Sequence, residues 1–321
     1  MAVTVPSFAK LNLGLKVLGK RADGFHELRT VFQSISLADR LTIDYARGRG
    51  THVELDSNLA IPDNLVIQAA RALMDATGIR GTVRFQLEKR IPLGAGLGGG
   101  SSNAAAVLLA LPALARKPVP LAKLNAIAAA LGSDVPFFLY GGTSLGLGRG
   151  EELYPLPEPQ PPAGVLLVLP GIHVSTPAAF TALARPALTA LTPIDLANKI
   201  ERVQSMVWGS VCTGAVPGWE AFCENDFEAA VFDQAPRLRT LHRQLVRLGA
   251  RPARMSGSGS ALFGLFASRA EAGRAAQALA DQRNSKETVH TVRFMNRGRY
   301  RAAWRRALAG HVTEVAAWPP R

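Results

Sequence analysis

The stretch richest in chemistry is Pro92-Leu93-Gly94-Ala95-Gly96-Leu97-Gly98-Gly99-Gly100-Ser101-Ser102-Asn103, which runs into an alanine-rich helical segment. Five of the seven residues from Gly94 to Gly100 are glycine. Such a loop has few side chains to keep a ligand away, and several backbone N–H groups can face one concavity. The helix that follows points its unpaired N–H groups and positive dipole end at the same place. The combination is an anion site, and the usual anion is phosphate. No acidic residue between Glu88 and Asp134 would repel a polyphosphate. Gly94, Gly96 and Gly99 have dinucleotide-fingerprint spacing, but the acidic residue expected about twenty positions on is missing. A Walker A loop is disfavoured because no lysine follows the glycines. Ser101 and Ser102 suggest hydroxyl contacts to phosphate or to a phosphate-bound Mg²⁺. The structural alternative is a flexible linker, but linkers seldom run straight into a strongly helical segment.

Three further segments carry polar groups where an apolar chain does not need them. Residues 3–17 alternate, so Val3, Val5, Ser7, Ala9, Leu11, Leu13, Leu15 and Val17 share one face of an extended strand. Phe8, Lys10, Asn12 and Gly14 share the other, so Lys10 and Asn12 point the same way. A lysine within an apolar strand is costly to bury unless an anion meets it; at a surface it would snorkel. Asp134 in Ser133-Asp134-Val135-Pro136-Phe137-Phe138 reads, alone, as a helix cap before Pro136. Met255-Ser256-Gly257-Ser258-Gly259-Ser260 is a second glycine–serine loop.

The elements that must position these residues follow from pattern. Asp23-Gly24 marks a turn between strands, and Thr30–Ser36, Leu41–Tyr45 and His52–Leu55 read as further strands. Asn64–Ala76 reads as a helix, Thr82–Leu87 as the strand delivering the glycine loop, and Ser102–Leu111 as the helix after it, ended or bent by Pro112. Leu121–Leu131 is a helix closed by Gly132. The proline-dense Pro155–Pro162 segment is the best connector between domains. Beyond it, Gly164–Leu169 and Ala261–Phe266 read as strands, and Pro236–Leu248 and Ala270–Leu279 as helices; Ser175-Thr176-Pro177 opens another. Strands and helices mix without regular alternation or repeats, which argues for an α+β architecture.

Composition bounds the rest. A chain of 321 residues, 48% hydrophobic and 19% charged, holds one large or two ordinary globular domains. The net charge of +13 invites a nucleic-acid reading. Its excess gathers on Arg237, Arg239, Arg243 and Arg247, and on Arg293, Arg297, Arg299, Arg301, Arg305 and Arg306. With little aromatic interleaving, both clusters read as solvated helix faces, and no specific nucleic acid is expected. The positive potential would steer an anionic substrate inward. Cys212 and Cys223 give no disulfide framework or metal spacing, and the six histidines are scattered, so no protein metal site is expected. No secretory pattern opens the chain and no apolar run reaches the roughly eighteen residues that span a bilayer. A cytoplasmic protein without a membrane partner is the expectation.

The strand bearing Lys10 and Asn12, the Pro92–Ser102 loop and the Met255–Ser260 loop occur in an order that resembles the GHMP small-molecule kinases. Phe8-Ala9-Lys10-Leu11-Asn12-Leu13, Arg21-Ala22-Asp23-Gly24-Phe25-His26-Glu27-Leu28 and Gly132-Ser133-Asp134-Val135-Pro136-Phe137-Phe138 narrow the resemblance to the branch whose acceptor carries a cytidine diphosphate. It covers about residues 5–266. It implies the GHMP kinase fold: an N-terminal domain like the second domain of ribosomal protein S5, a C-terminal ferredoxin-like domain, and an active cleft between them. The domains expected are 1–157 and 163–283, with 284–321 a basic C-terminal extension.

The implied activity is ATP-dependent phosphorylation of the tertiary 2-hydroxyl of a methylerythritol unit in the non-mevalonate isoprenoid route. Asp134 would be the catalytic aspartate and Lys10 the catalytic lysine beside it, offsetting charge on the phosphoryl oxygens. A carboxylate suffices because phosphoryl transfer is loose and positioning dominates. Pro92, Leu93, Gly94, Ala95, Gly96, Leu97, Gly98, Gly99, Gly100, Ser101 and Ser102 would bind the ATP triphosphate, and Asn64 would sit at the adenine. Asn12 and His26 would contact the diphosphocytidyl group. Phe25, usually tyrosine in such kinases, and Phe180 would sandwich the cytosine, with Thr176 beside them and Gly257 closing the phosphate end. Mg²⁺ is expected to arrive with ATP. Two other expectations stand beside this one. A GHMP kinase with another alcohol acceptor would not need the Asp23–His26 motif or Phe180. A basic S5-like RNA-binding module would ignore ATP and weaken steeply with salt.

Overall fold

The computed structural model describes residues 2–156, 162–184 and 223–312. Cys212 and most of the Pro155–Pro162 connector lie outside them. The N-terminal half is built on a six-stranded sheet. β1 (Val3–Lys20) and β2 (His26–Arg47) form a long antiparallel pair around the Asp23-Gly24 turn. On the far side of β2, β4 (Gly81–Glu88) pairs with Arg40–Arg47 and β5 (Thr143–Leu147) with Thr30–Gln33. β3 (Thr51–Ser57) runs parallel to β4, and β6 (Glu152–Pro155) antiparallel to β5.

The two strands expected at Thr30–Ser36 and Leu41–Tyr45 are one, because β1 pairs along nearly all of β2 and takes up the irregularities as register shifts. The inward side changes between Val5 and Phe8, just ahead of the first register shift, which falls between Phe8 and Lys10. Val3, Val5 and Phe8 face the helix-covered core, whereas Ala9, Leu11 and Leu13 face the second domain. The single face expected from Val3 to Val17 is therefore split. Lys10 and Asn12 both follow the break and keep a common side.

Four helices cover this sheet: α1 (Leu65–Thr77), α2 (Gly99–Leu114), α3 (Leu121–Leu131) and α4 (Val135–Tyr140). α2 begins three residues before the expected Ser102, and Pro112 lies within it. Every residue from Ser102 to Pro112 is buried. Packing against the sheet and the other three helices holds α2 together despite the hydrogen bond that proline removes. α3 closes at Gly132 as the spacing predicts.

The C-terminal half is a four-stranded antiparallel sheet ordered β10-β7-β9-β8. Its strands are β7 (Gly164–Leu169), β8 (Ala253–Met255), β9 (Leu262–Phe266) and β10 (Thr288–Val292). Among the described residues its helices are α5 (Thr176–Leu183), α6 (Phe227–Gln234), α7 (Pro236–Arg247) and α8 (Arg269–Gln282). The order follows the split β-α-β ferredoxin-like pattern. The stretch after 283, expected as an extension, is built into both halves. β10 is an edge strand of the second sheet, so a boundary at 283 would separate it from the sheet it completes. α9 (Arg297–Ala307) then returns to the first core and buries Tyr300 and Trp304 there. Leu238, Leu241 and Leu245 of α7 face inward while Arg243, Arg247, Arg299, Arg305 and Arg306 are exposed, so the solvated-face reading holds for these arginines but not for Arg237 or Arg297, which are half-buried and bonded to Glu287 and to the Thr143 carbonyl. Among the described residues no helix is long and apolar enough to cross a membrane.

Candidate active site

β1 carries Lys10 between the two domains. The ammonium donates to Asn12 Oδ1 and, at 3.0 Å, to the Gly96 carbonyl, and stands 3.5 Å from Asp134 Oδ2. The Phe32 ring lies beneath it at 5.5 Å. The Asn12 amide is oriented by its own donor bond to Thr30 Oγ1 at 2.7 Å, and Thr30 donates on to the Gly14 carbonyl at 2.7 Å. That network aims Asn12 Oδ1 at the lysine. Asp134 sits at the start of α4 but makes no capping bond with its side chain, so the capping reading is not realised. The lysine side chain is 4% exposed and the aspartate 33%, so the carboxylate is the member of the pair that a substrate can reach.

The glycine loop passes through a gap that only glycine fits. A Cβ on Gly96, at φ +74°, would stand 2.1 Å from the Ser256 carbonyl oxygen. A Cβ on Gly98, at φ +69°, would stand 2.8 Å from the Phe138 ring and 3.2 Å from Lys10 Cε. Leu93 and Gly94 lie exposed and Pro92 half-buried at the loop entrance; Ala95 and Leu97 are buried. The Ala95 carbonyl accepts from Ala261 N–H at 3.1 Å and that of Leu97 from Lys10 N–H at 3.0 Å. Gly99, Gly100 and Ser101 open α2 with N–H groups that a helix leaves without internal partners, and Ser102 N–H donates to the Gly98 carbonyl at 2.9 Å. The Ser102 hydroxyl is buried there without a protein partner. Asn64 instead caps α1, accepting from Val66 N–H at 3.0 Å. Its neighbour Leu65 reaches the loop, with Cδ1 3.6 Å from where a Cβ on Gly100 would stand.

Behind the loop is a buried network that motif reading missed. The Asp39 carboxylate accepts from Lys89 Nζ, from the N–H groups of Arg90 (2.7 Å) and Ile91 (2.8 Å), and from Asn103 Nδ2 (2.9 Å). It thereby staples the entry of the loop to its exit. Periodicity holds the signal: Val83, Phe85 and Leu87 are inward on β4, and Lys89 is the next inward position.

A cavity of about 760 Å³ opens from Lys10 and Asp134 toward the second domain. Asn12, Gly96, Gly98 and Gly257 line one end, and Phe25, His26, Thr176 and Phe180 the other. Gly257 packs on the amide oxygen of Asn12, and Thr176 Oγ1 meets Ser258 Oγ at 2.8 Å. The expected Phe25–Phe180 sandwich is rearranged. The ring stacked on Phe180 is His26, at 4.5 Å and 21°, while the edge of Phe227 closes from another side at 4.8 Å. Phe25 is exposed, with the Arg149 guanidinium 4.7 Å from its ring centre. Arg149 is in turn held by Glu151 Oε1 at 3.2 Å, and no sequence signal marks it beyond its glycine-rich turn. Burial, and then the nearby Lys20 charge, lower the His26 pKa from its ordinary 6.5, which favours a neutral imidazole. Lys10, Lys20 and Arg149 outnumber Asp134 on these walls, which suits an anionic substrate.

A buried cation and an open carboxylate meeting where a glycine loop closes a cleft are the parts that phosphoryl transfer needs. Residues 64–142 match the GHMP kinases N terminal domain, and residues 219–285 match GHMP kinases C terminal. Fold and site together define a small-molecule kinase of the GHMP class. The 4-diphosphocytidyl-2-C-methyl-D-erythritol kinase of Solibacter usitatus is 52% identical over 98% of this chain and 95% of its own length. That of Thermus thermophilus is 42% identical over 84% of this chain and 90% of its own. The chain belongs to the 4-diphosphocytidyl-2-C-methyl-D-erythritol kinase family. A crystal structure of 4-(cytidine 5'-diphospho)-2C-methyl-D-erythritol kinase, 38% identical, superposes with a TM-score of 0.71 over 91% of this chain and 98% of that one. A homoserine kinase from Cytophaga hutchinsonii, 19% identical, shares the fold with a TM-score of 0.66 over 92% of this chain and 95% of its own.

Proposed function

We propose that this chain transfers the γ-phosphoryl group of ATP to the 2-hydroxyl of 4-diphosphocytidyl-2-C-methyl-D-erythritol, giving ADP and the 2-phosphate. The observation that carries this reading is the 3.5 Å approach of Lys10 and Asp134 beside the glycine loop, on the wall of the 760 Å³ cavity. Near-full-length similarity to kinases named for this acceptor favours it over other alcohols. The reaction belongs to the non-mevalonate route to isoprenoid precursors and fits the cytoplasm, where ATP is held.

In this reading the triphosphate rests on the loop of residues 92–102, whose free backbone N–H groups face it. The acceptor hydroxyl donates to Asp134, which orients an oxygen lone pair in line with the γ-phosphorus. As the new O–P bond forms and the bond to ADP breaks, the hydroxyl proton passes to the Asp134 carboxylate and then to water. Lys10, held by Asn12 and Gly96, presents fixed positive charge to the transferring oxygens. His26 and Phe180 hold the cytosine end, with Phe25 at the rim, and Lys20 and Arg149 face the diphosphate. Among the described residues no cluster of three acidic, histidine or cysteine side chains could hold a metal. The buried, unpartnered Ser102 hydroxyl suits a Mg²⁺ ion carried on ATP, which would neutralise phosphate charge when bound.

Coupled ADP release decides the matter. Turnover is expected with 4-diphosphocytidyl-2-C-methyl-D-erythritol and not with mevalonate or homoserine. Equal turnover of all three, or of none, overturns the assignment.

A further inference from the structure

The C-terminal helix α9 lies beyond residue 285, where the match to GHMP kinases C terminal ends. Its two buried aromatic residues face the catalytic half of the molecule, not the domain that precedes it in sequence. We propose that Tyr300 is a positioning residue for phosphoryl transfer, locking α4, and with it Asp134, against the strand that carries Lys10. The proposal rests on the reading of Lys10 and Asp134 given above.

α4 has only six residues, so its last carbonyls have no partner within the helix. The Tyr300 hydroxyl donates to one of them, Phe138 O, at 2.6 Å. The same ring stands 5.4 Å from that of Phe8, two residues before Lys10. It also lies flat over Gly141 at the end of α4, where a Cβ would be 2.3 Å from Tyr300 Cγ. One side chain therefore touches the two elements whose separation sets the Lys10–Asp134 distance. Arg297, a turn earlier, donates to the Thr143 carbonyl at 3.0 Å and packs on Gly142, fastening the corner that leaves α4. The held residue is close to the chemistry, because the Phe138 ring fills the space beside Gly98 of the glycine loop and the Lys10 stem. Burial raises the Tyr300 pKa, so the phenol stays a donor throughout the working pH range.

Tyr300→Phe keeps the ring and removes the bond to Phe138. The expected result is a fall in kcat of about tenfold with unchanged KM for ATP and for the cytidine acceptor, because only the reactive geometry is loosened. Backbone amide exchange over residues 133–141 should quicken in the same variant. Leu279→Ala in α8, which opens a cavity in the other domain, should lower Tm while leaving kcat intact and so separates positioning from general destabilisation. Unchanged kcat in Tyr300→Phe, or wild-type exchange across α4, overturns the proposal. Should the wild-type chain turn over none of the tested alcohols, the functional reading fails, and the exchange readout still decides whether α9 holds α4.

Discussion

The Ser256 hydroxyl donates to the Gly96 carbonyl at 3.0 Å, joining two loops 160 residues apart. Lys10 donates to the same oxygen at 3.0 Å, and Asn12 N–H donates to Ser256 Oγ at 3.1 Å. One carbonyl and one hydroxyl thus tie β1 and the glycine loop to the second domain. Ser256→Ala leaves a buried N–H without its acceptor. It is expected to cost about 1–3 kcal/mol and to raise the KM for ATP. Thermal unfolding and initial rates measure both, and wild-type values would show the loops to be independent.

Asp134→Ala is expected to reduce kcat by about 10²–10⁴ while nucleotide affinity stays near wild type, the signature of a lost proton acceptor. Single-turnover kinetics and titration with a fluorescent nucleotide give the two numbers. Full activity would remove Asp134 from the mechanism.

Asp39→Ala leaves Lys89 charged and unpaired at a site where the two side chains are 0% and 1% exposed. The expected cost is about 3–5 kcal/mol, with weaker ATP binding because both ends of the loop are released. Denaturant unfolding with and without nucleotide tests it. A stable variant with normal ATP affinity would show that the staple does not shape the loop.

Phe180→Ala is expected to raise the KM for the cytidine acceptor with little change in kcat; an unchanged KM would assign the ring to packing alone. His26, stacked on Phe180, binds its proton more weakly in the folded state than its ordinary 6.5. Its contribution to stability is therefore full above 6.5 and is lost as pH falls through the lower folded value. Lys20→Ala should move the His26 titration part of the way back up, since burial, the larger cause, remains. NMR titration of labelled histidine would follow it, and no movement would rule out the Lys20 charge.

Arg237 on α7 donates to both Glu287 oxygens, at 2.7 and 2.8 Å, and so fastens the residue that precedes β10. That bond holds the Glu287 pKa below its ordinary 4.5, so its stabilisation is present above 4.5 and lost as pH falls through the lower value. Arg237→Ala is expected to cost about 1–3 kcal/mol at neutral pH, and the deficit should shrink in acid. Unfolding midpoints across that range check both points; a pH-independent deficit would contradict the pairing.

Much of the site is legible along the chain because its parts are local. A glycine run before a helix marks an anion loop wherever it sits, and Lys10 and Asn12 share a side of β1 by the two-residue period of a strand. α3 could be bounded to the residue because Gly132 ends it. Other features depend on partners far away. The parity change between Val5 and Phe8 depends on the irregular pairing with β2, and α2 keeps Pro112 because it is packed on every side. Asp39, Lys89 and Asn103 are individually unremarkable; their meaning lies in three segments converging on one carboxylate.

By itself, then, the order of residues determined the glycine run entering α2, the polar face of β1 and the family, since each is encoded by neighbours a few positions apart. Tertiary structure alone decided that His26 and not Phe25 lies on Phe180, and that the basic C-terminal stretch completes one sheet and braces the other domain; it also supplied the Asp134–Lys10 contact that the resemblance had only implied. The reason is physical: such choices are set by which groups find a charge or hydrogen-bond partner once water is excluded, and those partners come from distant parts of the chain.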